Sequence, residues 1–258
     1  MKIATWNING IKARIETVEA WLKETDRDIA CFQEIKSVDE NFPRERLESL
    51  GYNVETHGQK GFNGVAILSK LPFDEVNRRL PGDDSDEQAR FMEGVFSTDN
   101  GPLRVACLYL PNGNPVETEK YPYKLAWMKR LEDWAVDRMA LEEPFILAGD
   151  YNVIPEAIDC HNPKAWEGDA LYRPETNEAY NRLLNLGFTE AIRSVTDEEA
   201  YTFWDYQAGA WNKNNGIRID HLLLSPEAAL HLQDAAIDKH TRGWEKPSDH
   251  VPVWITYK

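Results

Sequence analysis

Nine short apolar segments spread along the chain constrain its fold more than any other feature of the sequence. They are rich in the β-branched and aromatic residues that favour strands. The predicted strands are 2–6, 29–33, 52–56, 65–69, 94–97, 103–110, 145–148, 219–224 and 251–255. Because both hairpin-like neighbours and longer crossovers separate these segments, the layer rules favour two mixed β-sheets packed against each other.

Helical patterns fall between some of the strands. Apolar residues at helical spacing predict helices over 14–24 and 124–141, and a third helix ends before Gly187. These helices are expected to cover the outer faces of the two sheets. A chain of 258 residues can bury a large core without disulfide bonds, so we expect one α/β domain over residues 1–258.

Charge and cysteine content restrict the environment and the partners. A formal net charge of −15 argues against a general basic face for nucleic acid, although a site that collects a divalent cation has to be acidic. The odd number of cysteines (Cys31, Cys107 and Cys160) predicts free thiols in a reducing compartment. The sequence also shows no signal peptide and no membrane span, so a cytoplasmic protein is expected.

Polar side chains stand where the predicted strands begin or end. These are Asn7, Glu34, Tyr109, Asp150, Asn152, Asp220, Asp249 and His250. Singly, each has an ordinary structural explanation, because Asn and Asp form turns and a buried Tyr packs in cores. Jointly they indicate a shared cleft, since strand ends at one edge of a layered fold converge.

The chemistry available to such a cleft is narrow. Glu34 and Asp249 offer the hard oxygen ligands that Mg²⁺ prefers, and Asn7 adds a neutral oxygen or a supporting hydrogen bond. Asp150 is a candidate base for an attacking water, and Asn152 can orient that water or donate to developing charge. No serine or cysteine nucleophile motif and no phosphate-binding glycine loop is present, so water is the expected nucleophile.

Seven segments, in order along the whole chain, resemble the exonuclease III branch of the endonuclease/exonuclease/phosphatase superfamily. They are WNING (6–10), FQEIK (32–36), GFNGVAILSK (61–70), YLPNG (109–113), GDYN (149–152), GIRIDHLLLS (216–225) and SDHVPV (248–253). The resemblance implies a four-layer α/β sandwich like that of DNase I, with the active site at one end of the two sheets.

The resemblance also implies roles for the polar residues. Asn7, Glu34 and Asp249 correspond to the group that holds Mg²⁺, for which Mn²⁺ can substitute, with Asp150 and Asn152 beside it. Tyr109 and His250 correspond to contacts with the scissile phosphate, and Asp220 to the partner of His250. Whether Asp150 or the His250–Asp220 pair is the base, and whether one or two metals bind, stays open at this stage.

The implied substrate is double-stranded DNA with abasic sites, nicks or blocked 3′ ends, bound by a monomer. The implied reactions are cleavage 5′ to an abasic site, 3′→5′ exonuclease action and removal of 3′ blocks. Phe203, Ile217 and Ile219 resemble the wall of the pocket for the abasic sugar, and Arg218 is a candidate phosphate contact. Two alternatives remain: an enzyme of the same superfamily acting on a small phosphoester, and a catalytically inactive relative with a binding role.

Overall fold

The computed structural model describes residues 1–258 and contains two six-stranded mixed β-sheets. The strands are β1 (Lys2–Asn7), β2 (Ile29–Gln33), β3 (Asn53–His57), β4 (Val65–Ser69), β5 (Glu75–Arg78), β6 (Phe91–Thr98), β7 (Gly101–Tyr109), β8 (Phe145–Asp150), β9 (Thr189–Glu190), β10 (Asp220–Leu224), β11 (Leu232–Ile237) and β12 (Val253–Tyr257). The helices are α1 (Ile11–Thr25), α2 (Arg44–Glu48), α3 (Lys120–Met139), α4 (Pro163–Trp166), α5 (Pro174–Leu184), α6 (Ala191–Val195), α7 (Ala210–Lys213) and α8 (Pro226–Ala229), with 3₁₀ turns at Asp39–Asn41, Ala157–Asp159 and Lys239–Gly243.

The two sheets have the same plan. The first sheet has the strand order β11-β12-β1-β2-β4-β3, and the second has the order β5-β6-β7-β8-β10-β9. At the centre of each sheet lies one parallel pair, β1 with β2 and β7 with β8, and the other strands pair antiparallel. Helices α1 and α3 provide the crossovers that these parallel pairs require.

Three apolar layers join the elements. The inner layer lies between the sheets and contains side chains from both, such as Ile67 of β4 and Val105 of β7. The second layer packs α1 against the outer face of the first sheet through Trp21, and the third packs α3 and α5 against the outer face of the second sheet. The order helix, sheet, sheet, helix confirms the predicted four-layer α/β sandwich.

The nine predicted strands all occur, with ends shifted by a few residues, whereas β5, β9 and β11 were not predicted. All three missed strands lie at sheet edges. An edge strand can expose one side and part of each face, so its apolar pattern is weak, as in the segment LQDAAI of β11.

All three cysteines are buried free thiols, as predicted. Cys31 and Cys107 lie in β2 and β7, in the apolar layer between the two sheets. None of the helices has the length and apolar character needed to cross a lipid bilayer.

Candidate active site

The chain directions bring polar residues from both sheets to one end of the sandwich. The parallel strands β1 and β2 end there with Asn7 and Gln33 side by side, and Glu34 follows directly. In the second sheet, the register places Tyr109 of β7 beside Asp150 of β8. The antiparallel neighbours β10 and β12 begin where the parallel strands end, so Asp220 and the segment before Val253 join the same cluster.

These side chains surround a cavity of about 310 Å³ at the end of the two sheets. The predicted site residues that line it are Glu34, Tyr109, Asp150, Asn152, Phe203, Ile217, Ile219, Asp249 and His250. Asn7 and Asp220 lie directly behind this lining, since they are hydrogen-bonded to Asp150 and His250. The structure therefore brings together all eight polar residues that the sequence pattern assigned to one cleft.

A buried hydrogen-bonded chain lies at the centre of the cavity. The His250 Nδ1 atom is 2.8 Å from a carboxylate oxygen of Asp220, which fixes the orientation of the imidazole ring. The His250 Nε2 atom lies 3.7 Å from Asp150 Oδ2, and the Asn7 amide donates to that same oxygen at 2.9 Å. Asn7 thus makes a supporting hydrogen bond to Asp150.

The pKa values of His250 and Asp150 are both raised above their ordinary values. Burial raises the pKa of Asp150 to about 7, although the nearby imidazole acts in the opposite direction. Burial alone would lower the pKa of His250, but the carboxylates of Asp220 and Asp150 outweigh it and raise this pKa to about 10. The two carboxylates therefore favour the imidazolium form of His250, while burial favours the neutral form of Asp150.

A second polar group lies on the side of the cavity formed by the first sheet. Glu34 accepts a short hydrogen bond from the Tyr109 hydroxyl, and its other oxygen is 3.0 Å from the Lys36 ammonium. Lys36 donates to the Asn9 side chain at 2.6 Å, and Asn9 donates to Asp249 at 3.2 Å. The two carboxylates thus lie on the same side of the cavity, linked through an ammonium and an amide.

This donor set fits a hard divalent cation. Glu34 and Asp249 are partly exposed to the cavity, and their present partners, the Lys36 ammonium and the Asn9 amide, are a positive and a partly positive group. Mg²⁺ is bound in proteins by one or two carboxylates together with water. Asp150, Asp220 and His250 form a second close group, whose ligand atoms lie within 4.8 Å of one another.

The backbone around the site adopts sparsely populated conformations. Asn9, Glu34, Lys36 and Asn152 all have φ between 47° and 50°, the left-handed region that favours glycine. Each such residue costs about 1–2 kcal/mol. Hydrogen bonds from Gly10 N to the Glu34 carbonyl (2.7 Å) and from neighbouring amides hold the two loops together. This conformational free energy is spent at positions where the backbone directs a side chain towards the cavity, as at Glu34 and Asn152.

A buried lysine lies beneath two of the site loops. Lys124 of α3 is fully buried, and its ammonium donates to the carbonyl oxygens of Asn152 (2.6 Å) and Asn112 (3.1 Å). Burial lowers the pKa of Lys124 to about 7. Its aliphatic chain packs under Gly113, where an added Cβ would lie 2.7 Å from Lys124 Cδ. One helical side chain therefore connects the loop after β7 to the loop after β8.

The Asn152 side chain is held at both ends. Its amide nitrogen donates to the Leu110 carbonyl at 2.8 Å, and its oxygen accepts from Asn112 at 3.2 Å. The backbone amide of Asn152 donates to Asp150 at 2.9 Å, which ties the two residues of the GDYN segment together. This bond uses Asp150 Oδ1 and leaves Oδ2 as the oxygen that faces His250.

An apolar wall closes one side of the cavity. Phe203 is partly exposed and its ring centroid lies 5.0 Å from that of His250, whereas Ile217 and Ile219 are almost fully buried. Trp166 and Leu171 complete the wall, and the sequence pattern did not identify them. Both lie in a polar stretch without strand or helix periodicity, so only the packed structure could reveal them.

The prediction that Arg218 contacts DNA phosphate is wrong. Its side chain is 1% exposed, and the guanidinium bonds Asp159 at 2.8 Å and Glu190 at 3.0 Å. The nitrogen that faces Glu190, Nη1, also lies 3.0 Å from His221 Nδ1. The bridge between Phe203 and Ile217 holds the GIRID segment in an extended conformation inside the fold. Side chains alternate along such a segment, so Ile217 and Ile219 face the cavity and Arg218 points away from it.

Comparisons with known proteins agree with this geometry. A family model described as the endonuclease/exonuclease/phosphatase family matches residues 4–250. Exodeoxyribonuclease III from Haemophilus influenzae is 35% identical, and the alignment covers 100% of both chains. An AP endonuclease from Archaeoglobus fulgidus has a TM-score of 0.94 at 35% identity and covers 100% of this chain and 99% of its own.

A structure of the 3′ phosphatase NExo from Neisseria, bound to a product DNA hairpin, has a TM-score of 0.95 at 34% identity. It covers 100% of this chain and 99% of the Neisseria chain. Because the family match includes almost every residue and the relatives align over their full lengths, the chain belongs to the endonuclease/exonuclease/phosphatase family.

Proposed function

We propose that this protein is a magnesium-dependent DNA-repair phosphodiesterase. It cuts duplex DNA 5′ to abasic sites, degrades duplex ends in the 3′→5′ direction and removes blocked 3′ ends. The observation that carries the proposal is the single cavity in which His250, Asp150 and the two carboxylates Glu34 and Asp249 face an apolar wall. Relatives described as an exodeoxyribonuclease III, an AP endonuclease and a 3′ phosphatase support the substrate class.

Glu34 and Asp249 would hold the metal, Asn7 would hold Asp150 in place through their hydrogen bond, and Mn²⁺ could replace Mg²⁺. When bound, the ion polarises a phosphoryl oxygen and stabilises the leaving 3′ oxygen. The Tyr109 hydroxyl, whose pKa burial and the Glu34 charge raise well above its usual value, stays protonated and can donate to the phosphate.

The protonation states of Asp150 and His250 suit these two residues to different roles. Asp150, whose pKa is about 7, can accept the proton of the attacking water through a carboxylate oxygen. His250, held as imidazolium by Asp220, donates from Nε2 to a phosphate oxygen and stabilises the developing charge. Asn152, fixed at both ends, orients the water beside Asp150. This arrangement favours Asp150 over the His250–Asp220 pair as the base.

An end-labelled duplex with one internal abasic site tests the function. With EDTA we expect no cleavage; with added Mg²⁺ we expect a cut 5′ to the site that leaves a 3′-hydroxyl, followed by exonuclease laddering. Undiminished cutting in EDTA would contradict the metal requirement. No cutting with either Mg²⁺ or Mn²⁺, together with hydrolysis of a small phosphoester, would favour a different substrate class.

Replacing Lys124 with Met should lower kcat about 10–100-fold with little change in KM for the abasic duplex. The reason is that Asn152 and Asn112 lose the ammonium that fixes their carbonyls, and a displacement of about 1 Å at a reacting group costs rates of this size. Steady-state kinetics of Lys124→Met and Lys124→Arg, with melting curves, measure the effect.

Lys129→Met is the matched control, because Lys129 lies on the same helix but is exposed and paired only with Asp133. Arg at position 124 should recover part of the lost kcat, since it can donate to the same carbonyls. A folded Lys124→Met protein whose kcat lies within twofold of wild type would show that the two loops hold their geometry unaided.

We also propose that the enzyme is a cytoplasmic monomer. The three buried free thiols are consistent with a reducing compartment.

A further inference from the structure

A second cleft lies next to the active-site cavity. It has a volume of about 300 Å³ and shares Trp166, Phe203, Asp205 and Ile217 with that cavity. The mechanism above uses the side of this wall that faces His250 and leaves the other side without a function. The two spaces are therefore adjacent and share a largely apolar part of their lining.

The second cleft combines ring-sized apolar surfaces with polar groups at its border. Trp166 and Phe203 provide aromatic rings, while His161, Gln207 and Asn215 provide ring nitrogen and amide groups. His161 Nδ1 is 3.2 Å from the Gly216 carbonyl, and its Nε2 atom makes no hydrogen bond within the protein. Stacking surfaces with hydrogen-bonding groups at the edge are the features that recognise a planar heteroaromatic ring such as a nucleobase.

The position of the cleft relative to His250 indicates which nucleotide of the substrate would carry the base that occupies it. This step rests on the proposed function, in which the attacked phosphate lies at His250 and the sugar attached through its 5′ oxygen lies against Phe203, Ile217 and Ile219. Phe203 connects the two regions, because its backbone pairs with both His250 and Ile217 and its ring is 5.0 Å from the imidazole. A base on C1′ of that sugar would lie next to the lining that the two cavities share, and the second cleft is the space adjoining this lining.

We propose that this second cleft binds the nucleobase of the nucleotide that the enzyme removes from a 3′ end. An abasic sugar or a 3′-phosphate leaves the cleft empty and uses the active-site cavity alone. One phosphate position then serves all three substrates, and the cleft adds affinity only when a base is present.

Filling the cleft tests the proposal. Ala208 lines the second cleft but not the active-site cavity, and Ala208→Trp should occupy the space of the base. Three duplexes are compared, ending in a 3′ nucleotide with its base, a 3′ nucleotide lacking its base, or a 3′-phosphate. We expect kcat/KM to fall at least 10-fold for the first substrate and to stay within twofold for the other two.

Two further variants secure the interpretation. Asn215→Trp fills the cleft from another lining position, in case Ala208→Trp does not fold. Ala140→Trp is the matched control, because Ala140 is exposed at the far end of α3, about 24 Å along the helix from Lys124. The control should process all three substrates at wild-type rates.

Product inhibition gives a readout that does not depend on turnover of a base-bearing end. On the 3′-phosphate substrate, 2′-deoxyadenosine 5′-monophosphate should inhibit the wild type at least 10-fold more strongly than 2-deoxyribose 5-phosphate. In Ala208→Trp this difference should disappear. Equal inhibition by the two compounds in the wild type, or equal loss on all three duplexes in the variant, would overturn the proposal. A wild-type protein inactive on every duplex would instead overturn the proposed function.

Discussion

Substituting Ala for His250 is expected to slow cleavage of an abasic duplex by about three orders of magnitude, roughly 4 kcal/mol of transition-state stabilisation. The imidazolium is the buried cation next to Asp150, and its ring is fixed by Asp220 at 2.8 Å. Without it, the charge that develops on the phosphate loses its donor. The proton affinity of Asp150 also changes, because the neighbouring positive charge is gone. Single-turnover assays with saturating Mg²⁺ measure this loss.

His240→Ala serves as the control for this experiment, since His240 is about half exposed and pairs with Glu24 on the surface. Glu34→Ala should produce a loss similar to that of His250→Ala, and raising the Mg²⁺ concentration should recover part of it if Glu34 binds the ion. Turnover near the wild-type rate in either His250→Ala or Glu34→Ala would refute the assigned mechanism.

Arg218→Met should destabilise the protein by about 3–5 kcal/mol. The substitution removes the cation from a buried group and leaves the Asp159 and Glu190 carboxylates with incomplete compensation. Losing one partner of such a group is costly because the other charges stay buried. Urea unfolding monitored by circular dichroism gives the change. Arg182→Met is the control, because that arginine is half exposed and its pair with Glu132 is worth less than about 1 kcal/mol.

Acidification supplies a second measurement on the same variant. Burial opposes ionisation of Glu190, but the charge of Arg218, the contact with His221 and the hydrogen bond from the Arg193 amide together outweigh it and lower the Glu190 pKa from 4.5 to about 2. In the wild type, the folding stability that ionised Glu190 contributes is fully present above pH 4.5 and is lost as the pH falls from 4.5 towards 2. The stability difference between wild type and Arg218→Met should therefore narrow over that interval. A difference that stays constant from pH 7 to pH 2 would show that Glu190 is not the group involved.

The sequence predicted the interior of the fold better than its edges. Strands such as β2, buried on both faces, consist almost entirely of apolar residues and were recognisable. β9 has two residues and β5 is largely exposed, so neither has a pattern that distinguishes it from a loop. Edge strands are defined by the neighbour with which they pair, and single-sequence patterns do not contain that information.

In the active site, the position of a residue at a strand end was a good guide to whether it lies in the cavity. Residue type was a poorer guide to the role of the residue. Asp150 and His250 follow or precede core strands and do lie in one cavity. Arg218 was assigned to DNA because arginine binds phosphate, yet its location inside the fold pairs it with Asp159. Lys124 was read as part of a helix, and nothing in helical periodicity shows that its ammonium bonds two loop carbonyls.

The division of the site between the two sheets has a mechanical consequence. Asn7 and Glu34 belong to one sheet, whereas Tyr109 and Asp150 belong to the other. The apolar layer between the sheets sets their separation, and the Asn7–Asp150 and Tyr109–Glu34 hydrogen bonds join them directly. A small slip of one sheet over the other would leave every strand intact while pulling the reacting groups out of alignment. Substitutions that change side-chain volume in this interior are therefore expected to lower turnover as well as stability, because these residues set the distance between the reacting groups.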